Sequence, residues 1–123
     1  ARRMLSLPPA VRIFVARGAT DMRKSFDTLA ALVRDVLRED PMSGHIFIFL
    51  SRRCDRVKLL YWDRAGFVLV YKRLERGTFR HPERDEISAR DLALLLEGLD
   101  ESTVRTRRWF TRSKALESAG RID

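Results

Sequence analysis

The chain has 123 residues, 45% of them hydrophobic and 34% charged, and 25 Lys and Arg against 17 Asp and Glu give a net charge of +8. That length fits one domain with an apolar core and a solvated surface, and it argues against global disorder. No apolar run approaches the ~18 residues of a membrane span. The first residues lack the long apolar core of a signal peptide. A single cysteine, Cys54, excludes an internal disulfide and a Cys-rich zinc site. A reducing cytoplasm is the expected compartment, with no membrane partner.

In chain order, Val11 to Ala16 reads as a short strand rich in β-branched and apolar residues. Arg17-Gly18-Ala19 turns the chain. Thr20 suits a helix N-cap, and Asp21 suits the positive end of the dipole. Met22, Phe26, Leu29, Val33 and Val36 then recur at steps of four and three, which predicts an amphipathic helix ending near Asp40-Pro41.

Three strands follow, over His45 to Leu50, Val57 to Trp62 and Phe67 to Leu74. Their short polar connectors favour an antiparallel meander. If the Asp63–Gly66 loop is symmetric, Trp62 faces Phe67, Leu60 faces Leu69 and Lys58 faces Tyr71. Those six residues share one face of the sheet. Val57, Leu59, Tyr61, Val68, Val70 and Lys72 share the other. Both faces are largely apolar, so both need cover. The first helix is expected over the aliphatic face, with Val70 beneath it. The aromatic face is left to the second helix, a second subunit or nucleic acid.

Gly77 and Pro82 break the pattern. Ser88 is the expected cap of a second helix, Leu92, Leu95, Leu96 and Leu99 its apolar stripe, and Gly98 its stop. The fold class is therefore α+β: a single small domain over residues 10–99, in the order β-α-β-β-β-α, with the meander packed by helices. Residues 100–123 form a basic C-terminal tail, interrupted by Trp109-Phe110.

Charge is distributed in blocks. Residues 51–80 net +6, residues 81–101 net −5 and residues 102–123 net +4. Of the 25 basic residues 21 are Arg, a side chain suited to bidentate phosphate contacts, although GC-rich coding also favours it. A basic block attracts polyanions, with nucleic acid the default partner. The candidate binding residues are Arg52, Arg53, Arg56, Lys58, Lys72, Arg73 and Arg76, around Trp62, Phe67 and Tyr71, together with Arg105, Arg107 and Arg108 of the tail. Such a surface can combine phosphate contacts with base stacking. The competing reading makes the aromatics core and the Arg side chains their rim.

Catalytic patterns are weak. His45 and His81 have no metal-ligand spacing, and neither a Walker loop nor a nucleophile elbow is present. Cys54 lies between Arg53 and Asp55 with no evident His partner. Asp21, Asp27, Asp55 and Asp63 could be chosen as a two-metal set, but any chain with 17 acids permits such a choice. Gly66 to Tyr71 approaches the end of an RNA-recognition signature, but its closing aromatic is one place late, on the wrong sheet face. No enzyme activity, metal or cofactor is expected.

Ordered motifs run along the chain: Thr20-Asp21-Met22-Arg23-Lys24-Ser25-Phe26-Asp27, Asp40-Pro41-Met42-Ser43-Gly44-His45-Ile46-Phe47, Asp55-Arg56-Val57-Lys58-Leu59-Leu60-Tyr61-Trp62-Asp63 and Tyr71-Lys72-Arg73-Leu74-Glu75-Arg76-Gly77-Thr78-Phe79. Pro82 and Leu94-Leu95-Leu96-Glu97-Gly98-Leu99 close the series. Over roughly residues 10–110 the chain resembles the TnpB-type accessory protein of the IS sixty-six insertion-sequence family. It is not the larger RNA-guided nuclease that shares the TnpB name. The resemblance implies a small bacterial mobile-element protein that assists transposition, while a separate, larger transposase supplies the chemistry. It supplies no catalytic or binding residue. Cys54 stands where the resemblance leads one to expect a small residue, often Gly, and His81 where it leads one to expect Trp.

The expected function is that of a non-catalytic accessory factor that binds DNA at or near element ends and assists the transposase. The alternative is an adaptor that docks on the transposase without touching DNA. Association of the chain with itself is left open.

Overall fold

A computed structural model describes residues 10–99. The elements in order are β1 (Ile13–Val15), α1 (Phe26–Leu32) continued by a π-helical turn (Val33–Leu37), β2 (Ile46–Leu50), β3 (Arg56–Trp62), β4 (Phe67–Arg73), β5 (Glu86–Ile87) and α2 (Ala89–Glu97). This is the small α+β domain that the sequence predicts. The tail at 100–123, with its Trp109-Phe110 pair, lies outside the described residues.

The five strands form one mixed sheet in the order β4-β3-β2-β1-β5. β1 runs parallel to β2, and every other pairing is antiparallel. β1 and β2 are central and apolar at every position. Such runs form when both faces of a strand are covered. The meander has the register expected from its loop: Trp62 pairs Phe67, Leu60 pairs Leu69 and Lys58 pairs Tyr71. β5 was not foreseen. It is two residues long and half charged, pairs antiparallel with Ile13 and Phe14, and has Glu86 within 2.7 Å of the exposed Arg12 guanidinium.

The core has two halves, one on each sheet face. Leu29, Ala30 and Val33 of the first helix pack on Phe14, Phe47, Phe49 and Leu60, with Phe67 and Leu69 partly covered. Leu95, with Leu92 and Leu96, packs with Phe79 on Ile13, Val15, Ile48, Leu50, Val57 and Leu59. The helices thus lie on the opposite faces from those expected. The first covers the aromatic face and α2 the aliphatic one. Val70 is accordingly not beneath the first helix but 42% exposed.

The first helix also starts later than its apolar periodicity suggests. The Asp21 carboxylate accepts the backbone N–H of Arg23 at 2.9 Å, and the Asp21 carbonyl accepts that of Lys24 at 3.1 Å. These bonds hold a turn that competes with helix, as short polar side chains do. Ser25 becomes the N-cap, with its N–H bonded to Thr28 Oγ1 at 2.9 Å. The π-helical turn then rotates the stripe, so that Leu37 packs inward while Val36 is exposed. At the other end of the chain Ser88 caps α2 as expected, its Oγ accepting the Asp91 N–H at 3.1 Å. Gly98 ends α2 at φ 74, where an added Cβ would meet Leu74 Cδ1 at 2.6 Å.

Candidate nucleic-acid interface

Two polar loops meet at one end of the sheet, and both are built by local hydrogen bonds. Between β2 and β3, Ser51 Oγ accepts the Arg56 N–H at 3.1 Å and the Ser51 carbonyl accepts the Cys54 N–H at 2.9 Å. Cys54 adopts the left-handed conformation at φ 56, which disfavours any side chain beyond Gly. Its carbonyl accepts the Phe79 N–H at 2.6 Å, tying the segment after β4 to this turn. On the other side, Thr20 donates its N–H to the Leu50 carbonyl at 2.8 Å. The Asp21–Lys24 turn is thereby held beside the same loop.

A shallow cleft of about 370 Å³ lies between these loops, lined by Thr20, Asp21, Met22, Ser51, Arg52, Arg53, Asp55 and Arg56. A second, of about 320 Å³, is lined by Arg56, Tyr71, Arg73 and Glu75. Arg56 is common to both. Arg56 and Arg73 are direct cross-strand partners, an arrangement that opposes like charges and is destabilising unless something anionic lies between or beside them. Arg73 Nε reaches Glu75 at 3.0 Å, and Arg56 Nη1 stands 3.5 Å from the Tyr71 hydroxyl. Tyr71 is half exposed. In the first cleft, the Arg23 guanidinium bonded to Asp21 at 2.7 Å holds that carboxyl far below the usual carboxylate range.

The ten basic candidates therefore divide. Arg52, Arg53, Arg56 and Arg73 come together. Lys58 does not join them: it is buried, and its ammonium donates to the carbonyls of Met22 at 2.8 Å and Lys24 at 2.6 Å. Lys72 lies on the opposite face, bonded to the Leu96 carbonyl at 2.7 Å near the end of α2. Arg76 is exposed beyond β4 and lines neither cleft. Arg105, Arg107 and Arg108 lie outside the described residues. Of the aromatics only Tyr71 belongs here. Trp62 and Phe67 pack edge to face, 5.0 Å apart, at the far end of the hairpin.

The part that basic composition did not reveal is the Thr20–Lys24 wall. Its signal in the sequence was the ordered motif beginning at Thr20, whose carbonyls receive Lys58. Among the described residues no group of three or more His, Cys, Asp or Glu is placed to hold a metal ion, and no helix is long and apolar enough to cross a membrane.

A family model described as IS66 Orf2 like protein matches residues 11–106. The chain belongs to this insertion-sequence family. This IS66 Orf2-like chain is similar to the uncharacterized protein y4jC of Sinorhizobium fredii (strain NBRC 101917 / NGR234), 37% identical over 108 residues that cover 85% of this chain and 92% of the relative. The uncharacterized protein y4hO of the same strain is 39% identical over 101 residues, covering 79% and 88%. No solved structure matches the chain significantly. The IS66 Orf2-like assignment makes this an accessory protein of an insertion sequence, as the motif series implied.

Proposed function

We propose that this protein assists transposition by binding DNA through the Arg52–Arg53–Arg56–Arg73 end of its sheet, at or near the element ends, alongside the transposase. The observation that carries the reading is the opposed pair Arg56 and Arg73 beside the exposed ring of Tyr71. Two guanidinium groups fixed on adjacent strands can share one phosphate or bridge two, and the ring offers a surface for stacking. Guanidinium contacts to phosphate make such binding fall with salt, with little sequence preference expected of the protein in isolation.

The test is a titration of the full chain against element-end DNA and unrelated DNA across a salt series. Each neutralised phosphate adds ~0.9 to the magnitude of the log–log slope on duplex DNA. Arg56→Ala and Arg73→Ala should each weaken binding and lower that magnitude by about one contact. Absence of binding at about 50 mM salt would overturn the reading and leave the adaptor role, in which the protein docks on the transposase without DNA.

A further inference from the structure

β4 is the terminal strand of the sheet and seven residues long, whereas the opposite edge, β5, has only two residues. A long edge strand presents unpaired N–H and C=O groups and is a template for another strand. The phase of the β3–β4 ladder identifies which groups are free. The Asp63 N–H donates to the Gly66 carbonyl at 3.1 Å and the Leu74 N–H to the Asp55 carbonyl at 2.8 Å. Even-numbered residues of β4 therefore bond towards β3, because hydrogen-bonded pairs alternate along an antiparallel ladder. The backbone groups of Phe67, Leu69, Tyr71 and Arg73 face outward, with no partner among the described residues. Val70 and Tyr71 are 42% and 50% exposed, and they are the only exposed large apolar side chains of the described residues that lie on a strand.

We propose that this edge pairs with the same edge of a second copy, antiparallel, about a two-fold axis at Val70. The register follows from the phase. Outward-facing residues must meet outward-facing residues, so position sums must be even. Only a sum of 140 uses all seven residues. Phe67 then meets Arg73 and Leu69 meets Tyr71, each as a hydrogen-bonded pair, while Val70 meets Val70 as the close, non-hydrogen-bonded pair. Every pairing keeps the two sheet faces in phase. Lys72 lies opposite Val68, and Arg73 opposite Phe67, so no two like charges are opposed along the strand. The contact is isologous and closes on itself, which gives a dimer with one continuous sheet and not a fibre.

The experiment uses the full chain, freed of nucleic acid, in sedimentation and in oxidative cross-linking. The wild-type mass should be that of two chains. Val70→Lys opposes two ammonium groups at the axis and should return a folded single chain with unchanged circular dichroism, while Val70→Thr should remain paired. With Cys54→Ser as background, Val70→Cys should form a disulfide-linked dimer on mild oxidation, because Cβ atoms of directly opposed residues stand ~4.5–5.5 Å apart. Val68→Cys in the same background should not, since its two copies lie ~13 Å apart along the strands. A wild-type single chain, a Val70→Lys variant that stays paired, or equal cross-linking at 68 and 70 would overturn the proposal. None of these readouts involves DNA, so its failure is separate from failure of the DNA-binding reading.

Discussion

The ammonium of Lys58 lies 4.6 Å from the centre of the Tyr71 ring, directly across the β3–β4 ladder. The same nitrogen donates to the carbonyls of Met22 and Lys24. One buried cation thus joins the segment leading into the first helix to the two strands of the hairpin. Its charge is balanced by carbonyl dipoles and a ring face, with no carboxylate among the described residues bonded to it. The ring it supports is the one exposed beside Arg56 and Arg73.

Lys58→Met should therefore act on stability. It leaves two carbonyls without their donor in a partly buried setting, and hydrogen bonds to a charged group are each worth ~1.5–3 kcal/mol. A loss of about 2–4 kcal/mol is expected in denaturant melts. DNA affinity per folded molecule should be nearly unchanged. A stable variant with much weaker DNA binding would show that Lys58 reaches phosphate after all.

Two valines on the same sheet face should behave differently. Val57 is fully buried against Ile48, Leu50 and Leu95, whereas Val70 is exposed at the edge. Val57→Ala should cost about 2 kcal/mol through lost burial and a residual cavity. In the unpaired chain, at low protein concentration, Val70→Ala should stay within about 0.5 kcal/mol. Chemical denaturation of both variants at one protein concentration checks the contrast.

Cys54 sits at φ 56, where a Cβ crowds the following carbonyl. Relief of that contact outweighs the extra chain entropy of glycine at such a position. Cys54→Gly should accordingly raise stability by about 0.5–1 kcal/mol, seen as a higher melting temperature. A lower one would mean that the thiol packs usefully beside the turn.

Acid should weaken the fold through three exposed ion pairs. Hydrogen bonds from Arg23, Arg34 and Arg12 lower the pKa values of Asp21, Asp35 and Glu86 respectively. A carboxylate whose folded pKa lies below its unfolded value adds stability above the unfolded value, and that contribution is lost as pH falls through the folded one. Melting temperature should be level near neutrality and fall from about pH 5 downward. Glu86→Gln should lower the plateau slightly and flatten part of the fall, because it removes one such group from the strand pair β1–β5. A profile unchanged by Glu86→Gln would show that this pair contributes nothing.

Much of the fold was legible because it is written in local patterns. The strand periods, the Asp63–Gly66 loop and the cap at Ser88 each depend on neighbours in sequence, and the meander register followed from them. The start of the first helix was missed because Asp21 offers the backbone a competing turn, which hydrophobic periodicity does not weigh. Of the candidate site, the cluster of Arg52, Arg53, Arg56 and Arg73 was legible as composition. The burial of Lys58 was not, since a lysine on an apolar face reads the same whether its ammonium reaches water or a carbonyl.

What the sequence by itself determined was the set of elements other than β5, the pairing of β3 with β4, the two apolar faces and the membership of an insertion-sequence family. Only the tertiary structure decided which helix covers which face. Alternation along a strand defines two faces but does not label them. The label comes from the crossover through the first helix, and it exists only once β1 is known to lie parallel beside β2. That placement left Val70 at an open edge and put Lys58 beneath the Met22–Lys24 turn. The pairing of Arg56 with Arg73, 17 positions apart, belongs by contrast to the hairpin register, which local sequence already set.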